Sequence, residues 1–303
     1  MTPSGTAVSI ALAASFFAAC GPTSTGGSGG SGGAGGNSGS ASCAGSALRP
    51  GESTRTIQVG GTTRSYLLHV PASYDATRAV PLVLDFHGLF LSGPQQRALS
   101  GYAELSEREG FIVAFPNGLD NAWNVGPCCT FSRSVDDLGF ARALVSQLEA
   151  DACIDERRVY AAGYSMGGGM SHALACNAAD VFAAVAPAAF DLLEEQPCAP
   201  SRGITNMLFR GTNDPIVPYA GGASRPPNGL DTTIHFLGAE STFARWASLN
   251  QCSGQPVETA AGCRTYSQCR DGAEVSLCTA AGGGHVVGDA EHGWQVLKRH
   301  ALP

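Results

Sequence analysis

An α/β fold, with a mostly parallel central sheet covered by helices on both faces, is predicted by three observations. From residue 81 onward, apolar runs of strand length alternate with stretches of helical periodicity, and such alternation calls for crossover helices on a parallel sheet. The run at residues 81–86 is apolar almost throughout, as a strand buried on both faces must be. The stretch from Cys43 to Pro303 is long enough to bury one large core, and α/β architectures of that size are routinely one domain.

Each element has its own signal. Thr56-Ile57-Gln58-Val59 and Ser65-Tyr66-Leu67-Leu68-His69-Val70, joined through Gly60-Gly61, read as an antiparallel opening hairpin. Pro81-Leu82-Val83-Leu84-Asp85-Phe86 is the first buried strand. A helix is expected from Pro94, with Leu99, Tyr102 and Leu105 on one face and Gly110 as its stop. Phe111-Ile112-Val113-Ala114-Phe115 is the next strand. Ala141, Leu144, Val145 and Leu148 mark a second amphipathic helix, capped by Ser134 or Asp136. Arg158–Ala162 and the helix after it form a further βα unit, and Val181-Phe182-Ala183-Ala184-Val185 and Met207-Leu208-Phe209 add strands. Cys263-Arg264-Thr265-Tyr266 and Glu274-Val275-Ser276-Leu277-Cys278 flank a turn and suggest a hairpin that a Cys263–Cys278 bridge would fit.

The ends carry different information. Residues 1–20 hold an apolar stretch, Ala7 to Phe17, too short to span a membrane, and read as a secretion signal. Small residues directly before Cys20 resemble a bacterial lipoprotein cleavage box, which would make Cys20 the lipidated first residue of an exported, surface-anchored protein. No Lys or Arg precedes the apolar run, and Phe17 stands where such boxes usually carry leucine. Residues 21–42 are almost entirely Gly, Ser, Thr and Ala, with nothing to bury, and are expected to form a flexible tether reaching about 25 Å. Residues 43–303 are expected to form one α/β domain, the part of the chain able to carry a site.

A net charge of −7 with no basic run argues against a nucleic-acid partner. Eleven cysteines in an exported chain imply disulfides, and setting Cys20 aside for lipid leaves an even ten. Neither a metal nor another cofactor is expected, because no Cys-x-x-Cys pair occurs and Cys128-Cys129 is vicinal.

The chemistry centres on Gly163-Tyr164-Ser165-Met166-Gly167. A serine hydroxyl is a poor nucleophile at neutral pH, so presenting it on a sharp strand-to-helix turn exposes it to both base and substrate. In a chain with 40 glycines the bare pattern is weak: Gly26–Gly30 and Gly29–Gly33 match it too, but inside the tether. Only Ser165 follows a strand and precedes a helix. On the α/β-hydrolase plan an acid and then a histidine follow the serine in chain order. Asp214, just past the strand at Met207–Phe209, is the expected acid, with Asp191 and Glu194 as rivals. Asp180 and Asp271 sit in apparent turns, where Asp more often bends the backbone. His285, on a glycine-rich loop after the Cys278 strand, is the expected base; His235, His292 and His300 are the other late histidines. His172, in the helix after Ser165, reads as a packed or capping residue.

Acyl transfer builds negative charge on the carbonyl oxygen, and two backbone N–H donors must meet it. Met166, directly after the nucleophile, supplies one on this reading. Leu89, in His87-Gly88-Leu89-Phe90 after the first buried strand, supplies the other. His87 precedes Ser165, which leaves it shaping that loop beside the substrate.

His87-Gly88, Trp123-Asn124-Val125-Gly126-Pro127-Cys128-Cys129, Val135-Asp136-Asp137, the Ser165 elbow, Gly211-Thr212-Asn213-Asp214-Pro215-Ile216-Val217-Pro218-Tyr219 and Gly283-Gly284-His285 occur in that order. Together they resemble the secreted esterase family that includes extracellular polyhydroxybutyrate depolymerases and feruloyl or acetylxylan esterases. The resemblance implies a serine α/β-hydrolase with Ser165, Asp214 and His285 as triad, and places Trp123 and the vicinal cysteines beside the substrate cleft. Trp123 also has a plain reading as a core aromatic. Arg210 departs from the histidine common in the family, and Val286-Val287 replaces its usual Thr-Trp-Pro; neither is expected to touch the triad.

The expected activity is hydrolysis of a carboxylic ester, with feruloyl or acetyl esters of plant polysaccharide, or a polyhydroxyalkanoate polyester, as substrate. A non-catalytic surface-binding lipoprotein that retained the fold is the alternative from another class. Loss of a triad member would mark it, and all three are present.

Overall fold

The computed structural model describes residues 43, 48–128, 130, 134–225, 233–260 and 262–303, all within one unit, Ser40–Pro303. The expected signal segment, Cys20 and the tether lie outside the described residues. The first hairpin pairs β1 (Gly51–Val59) with β2 (Thr62–Val70). Then come β3 (Val80–Phe86), α1 (Gly93–Ser100), α2 (Tyr102–Glu109), β4 (Ile112–Pro116), α3 (Asp137–Asp151), β5 (Ile154–Tyr164), α4 (Met166–Asn177), β6 (Ala184–Ala188) and β7 (Thr205–Gly211). A short pair, β8 (Gly222–Ser224) and β9 (Ile234–Phe236), precedes α5 (Ala239–Leu249). The chain finishes through β10 (Val257–Ala260), β11 (Cys263–Tyr266), β12 (Val275–Ala280) and α6 (Ala290–Leu297).

Ten strands form one sheet in the order β1-β2-β4-β3-β5-β6-β7-β12-β11-β10. The run from β4 to β12 is parallel, and antiparallel strands close both edges. Alternation along each strand divides the core into two layers. Leu82, Leu84, Phe86, Ala161 and Val185 face Phe140 and Leu144 of α3, Leu174 of α4 and Trp246 of α5. Val83, Val113, Phe115, Tyr160 and Ala162 face Tyr102 and Leu105 of α2 and Trp294 and Leu297 of α6. That is the two-sided covering expected of a parallel sheet.

Two local expectations are revised and a third, left between two residues, is resolved. The helix expected from Pro94 to Gly110 is two helices, because Gly101 adopts φ +79°, a left-handed value that interrupts the first and turns the chain into the second. Leu99 is consequently exposed rather than in the core. The strand expected at Val181–Val185 begins only at Ala184: Val181 and Phe182 donate their N–H groups to Ala178 at the end of α4, so local turns outcompete sheet pairing there. The third concerns the cap of α3, which is Asp136, accepting from Gly139 N at 2.7 Å.

Four disulfides lie among the described residues: Cys43–Cys153, Cys176–Cys198, Cys252–Cys269 and Cys263–Cys278. The last joins directly opposed residues of β11 and β12, as the hairpin reading anticipates.

Candidate active site

β5 ends at Tyr164 and α4 begins at Met166, leaving Ser165 alone on the turn with φ +55° and ψ −121°. A non-glycine residue in that region is strained. The turn is held by Ser165 N donating to Ala188 O at 2.9 Å and Gly169 N donating to Ser165 O at 3.1 Å. Gly163 and Gly167 are required by close approach. A Cβ on Gly167 would lie 1.9 Å from Phe86 O, and one on Gly163 would lie 2.3 Å from Gly167 O. Strand, elbow and helix therefore pack backbone to backbone, and the hydroxyl stands clear.

His285 Nε2 is 2.8 Å from Ser165 Oγ, and its Nδ1 is 2.7 Å from Asp214 Oδ2. The topology brings these residues together: β5, β7 and β12 run parallel and deliver all three from their carboxyl ends. Asp214 Oδ1 accepts from the N–H groups of Ile216 and Val217, each at 2.9 Å. Burial works to raise the Asp214 carboxyl, but the His285 bond and these two N–H groups outweigh it and hold the group below its usual value. Asp214 thus stays ionised and can accept from His285 Nδ1, which leaves Nε2 facing the Ser165 hydroxyl.

The rivals are otherwise engaged. Asp191 is fully buried in an ion pair with Arg210, and Glu194 is exposed. His292 and His235 are surface residues paired with Asp289 and Glu195, and His300 lies 3.7 Å from Glu274. His172 is buried among Trp246, Asn206 and Phe190 O, and burial pushes its pKa down to about 3, so it is a neutral packed residue.

A cavity of about 250 Å³ opens beside Ser165, walled by Leu89, Phe190, Val217, Ile234 and Phe236, with Arg225 on its border. Met166 and Leu89 both line this space. The Met166 N–H is the first of α4, where helix geometry provides no partner. Leu89 N–H has no acceptor among the described residues, whereas its neighbour Phe90 donates to Asn121 O at 2.9 Å. Phe90 itself has φ +66° and is 53% exposed, so a strained backbone holds an aromatic ring at the mouth.

Trp123 and His87, placed beside the substrate from the sequence, do not line the cavity; both are 0% exposed, as the core-aromatic reading of Trp123 requires. Trp123 Nε1 donates to His87 O at 2.9 Å, and its backbone N–H to Met166 Sδ at 3.4 Å. His87 Nδ1 donates to Gly88 O at 2.8 Å and Nε2 accepts from Gly118 N at 3.0 Å; burial drives its pKa down to about 4, which keeps it neutral for this double duty. They brace the loop that presents Leu89. Cys128 does reach the cavity; Cys129 lies outside the described residues. Asp137 extends the bracing, pairing Oδ1 with Arg64 and Oδ2 with Asn124 N, each at 2.7 Å.

Phe190, Ile234 and Phe236 went unread in the sequence, because a lone apolar residue gives no sign of which cavity it will face. Arg210 was legible only as a departure, and it does approach the acid: Nη2 lies 3.9 Å from Asp214 Oδ2.

Strand order and nucleophile turn define the class of this protein, an α/β-hydrolase fold. A family profile described as Esterase PHB depolymerase matches residues 64–220. The chain is 41% identical over 250 residues to feruloyl esterase B of Piromyces equi, covering 79% of this chain and 46% of that protein. It is 29% identical over 188 residues to feruloyl esterase C of Emericella nidulans, covering 59% and 65%. The chain belongs to the esterase PHB depolymerase family. It spans about half the length of the first of these relatives. Among solved structures, an acetyl xylan esterase from Aspergillus awamori superposes with a TM-score of 0.59 at 18% identity, over 81% of this chain and 99% of that one. The feruloyl esterase module of Clostridium thermocellum gives 0.54 at 14%, over 81% and 86%. At these identities the likeness is one of fold.

Proposed function

We propose that this protein is an exported serine carboxylic-ester hydrolase whose preferred substrates are feruloyl-type aromatic esters of plant polysaccharide. The observation that carries the reading is His285 bridging Ser165 and Asp214 at the wall of an apolar cavity. Ser165 Oγ attacks the acyl carbon while His285 Nε2 takes its proton; Met166 and Leu89 N–H groups receive the oxyanion. The alcohol departs with the proton from His285. Water, deprotonated by the same imidazole, then releases the acid. No cofactor is needed for either half.

The cavity's lining supports this substrate class. Phe190 and Phe236 meet edge to face at 5.1 Å, and with Ile234 and Val217 they form a wall that favours a flat apolar acyl group over acetyl, which would leave most of it unfilled. Relatives named as feruloyl esterases support the same choice. Ester release from methyl ferulate, acetylated xylan and polyhydroxybutyrate should favour the ferulate by at least about tenfold in kcat/KM. Preference for the polyester would overturn the substrate class while leaving the hydrolase reading intact.

Export is supported by the disulfides, which persist in oxidising compartments. Anchoring through lipid on Cys20 is part of the proposal. Cys20→Ser should move the protein from membrane to soluble fractions, and unchanged partitioning would show that Cys20 is not the anchor.

A further inference from the structure

Arg210 is the penultimate residue of β7, and its side chain is completely buried. At Nη1 it pairs with the equally buried carboxylate of Asp191. At Nη2 it donates to the carbonyl of Val217 at 2.7 Å and lies 3.9 Å from Asp214 Oδ2. Val217 returns to the acid through its own N–H, 2.9 Å from Asp214 Oδ1. The residue that grips the carboxylate is therefore itself gripped by Arg210. A buried ion pair gains little over apolar packing, because desolvating two charges costs about as much as their attraction returns. Its position behind the turn that carries the acid gives it a different use.

We propose that Arg210, balanced by Asp191, is a positioning residue for Asp214: it fixes the Asp214–Val217 turn through the Val217 carbonyl, and its charge limits how strongly Asp214 holds the proton on His285. The inference rests on the triad reading above. A positive charge beside Asp214 weakens the pull of the carboxylate on the imidazolium, and Asp191, at the other end of the guanidinium, offsets part of that effect where it is ionised; burial pushes its carboxyl up to about 6, with Arg210 opposing that rise. Other groups facing His285 are Ser165 at Nε2 and Tyr164, whose hydroxyl is 3.3 Å from the His285 carbonyl and whose ring is 5.1 Å from the imidazole. Arg225 stands on the cavity border, and His172, neutral through burial, adds no charge near Arg210. The variants below leave all of these in place.

Asp191→Asn leaves the guanidinium uncompensated, so the imidazolium is disfavoured and the acidic limb of the pH profile moves to lower pH. The double variant Asp191→Asn/Arg210→Met removes both charges, the nearer one being the guanidinium. Its limb moves above that of wild type, and its plateau rate falls about tenfold as the turn loses its hold. The experiment measures the pH dependence of fluorophosphonate labelling of Ser165 in the full chain for all three proteins, with near-UV circular dichroism and melting to establish folding. Shifts in opposite directions support the proposal, since loss of packing alone would not reverse sign. A limb that stays put, or that moves the same way in both folded variants, overturns it. If Asp191→Asn fails to fold, the double variant decides: an upward shift supports the proposal and none refutes it. Absence of labelling in wild type would remove the triad reading and this inference with it, whereas normal labelling with an unmoved limb removes this inference alone.

Discussion

Ser165→Ala is expected to keep the fold and to lower turnover of p-nitrophenyl acetate by roughly 10⁴-fold or more. The substitution deletes one oxygen from a partly exposed turn, so it creates no cavity, and alanine can occupy the strained backbone that serine already adopts. His285→Ala should be as damaging, because without a base Oγ keeps its proton. Residues that act as a unit are not additive, so the double variant should be no slower than either single one. His292→Ala is the control, since its side chain sits at the surface beside Asp289. Retained turnover in Ser165→Ala, against unchanged circular dichroism, would end the assignment of the nucleophile.

Asp85→Asn is expected to stabilise the protein by about 4 kcal/mol above about pH 8 and to have little effect below about pH 4. Asp85 lies on β3 two residues before His87, wholly buried, with Oδ1 accepting from Gln96 Nε2 at 2.8 Å. Its Oδ2 and the Gln96 Oε1 are buried without a hydrogen-bond partner among the described residues. Burial pushes the carboxyl up to about 7, with the Ser100 and Gln96 contacts opposing it. The folded state thus holds this proton more tightly than the unfolded chain, whose aspartate titrates near 4. Between those values the folded form binds more protons, so stability falls as pH rises and the full penalty is present above the folded pKa. Asparagine is neutral throughout and keeps the acceptor for Gln96. Urea unfolding of both proteins at acidic and alkaline pH measures the difference. A gap independent of pH would show that Asp85 is not the titrating group.

Much of the site was legible because the chemistry constrains residue type and order. The elbow glycines, the serine, an acid past one strand and a histidine past a later one form a pattern that the parallel sheet turns into proximity. The sequence could set Trp123 and His87 beside the cleft but not decide whether they line it: a motif places residues near one another along the chain but does not say which side of a loop each side chain takes. In the structure both turn inward and brace the loop, while their neighbours Gly88 and Leu89 line the cavity. The helix split at Gly101 was missed because apolar periodicity runs through the break, and one left-handed residue leaves that periodicity almost unchanged.

By itself the amino-acid sequence determined the class of fold and singled out Ser165, Asp214 and His285, which the structure brings within hydrogen-bond reach of one another, since strand and helix periods, turn glycines and chain order are local properties. Only the tertiary structure decided the apolar wall of Phe190, Ile234 and Phe236 and the buried pairing of Arg210 with Asp191 behind the acid. These depend on contacts between residues far apart in sequence. A buried charge or an apolar side chain acquires its meaning from what it packs against, and that is fixed only when the sheet closes.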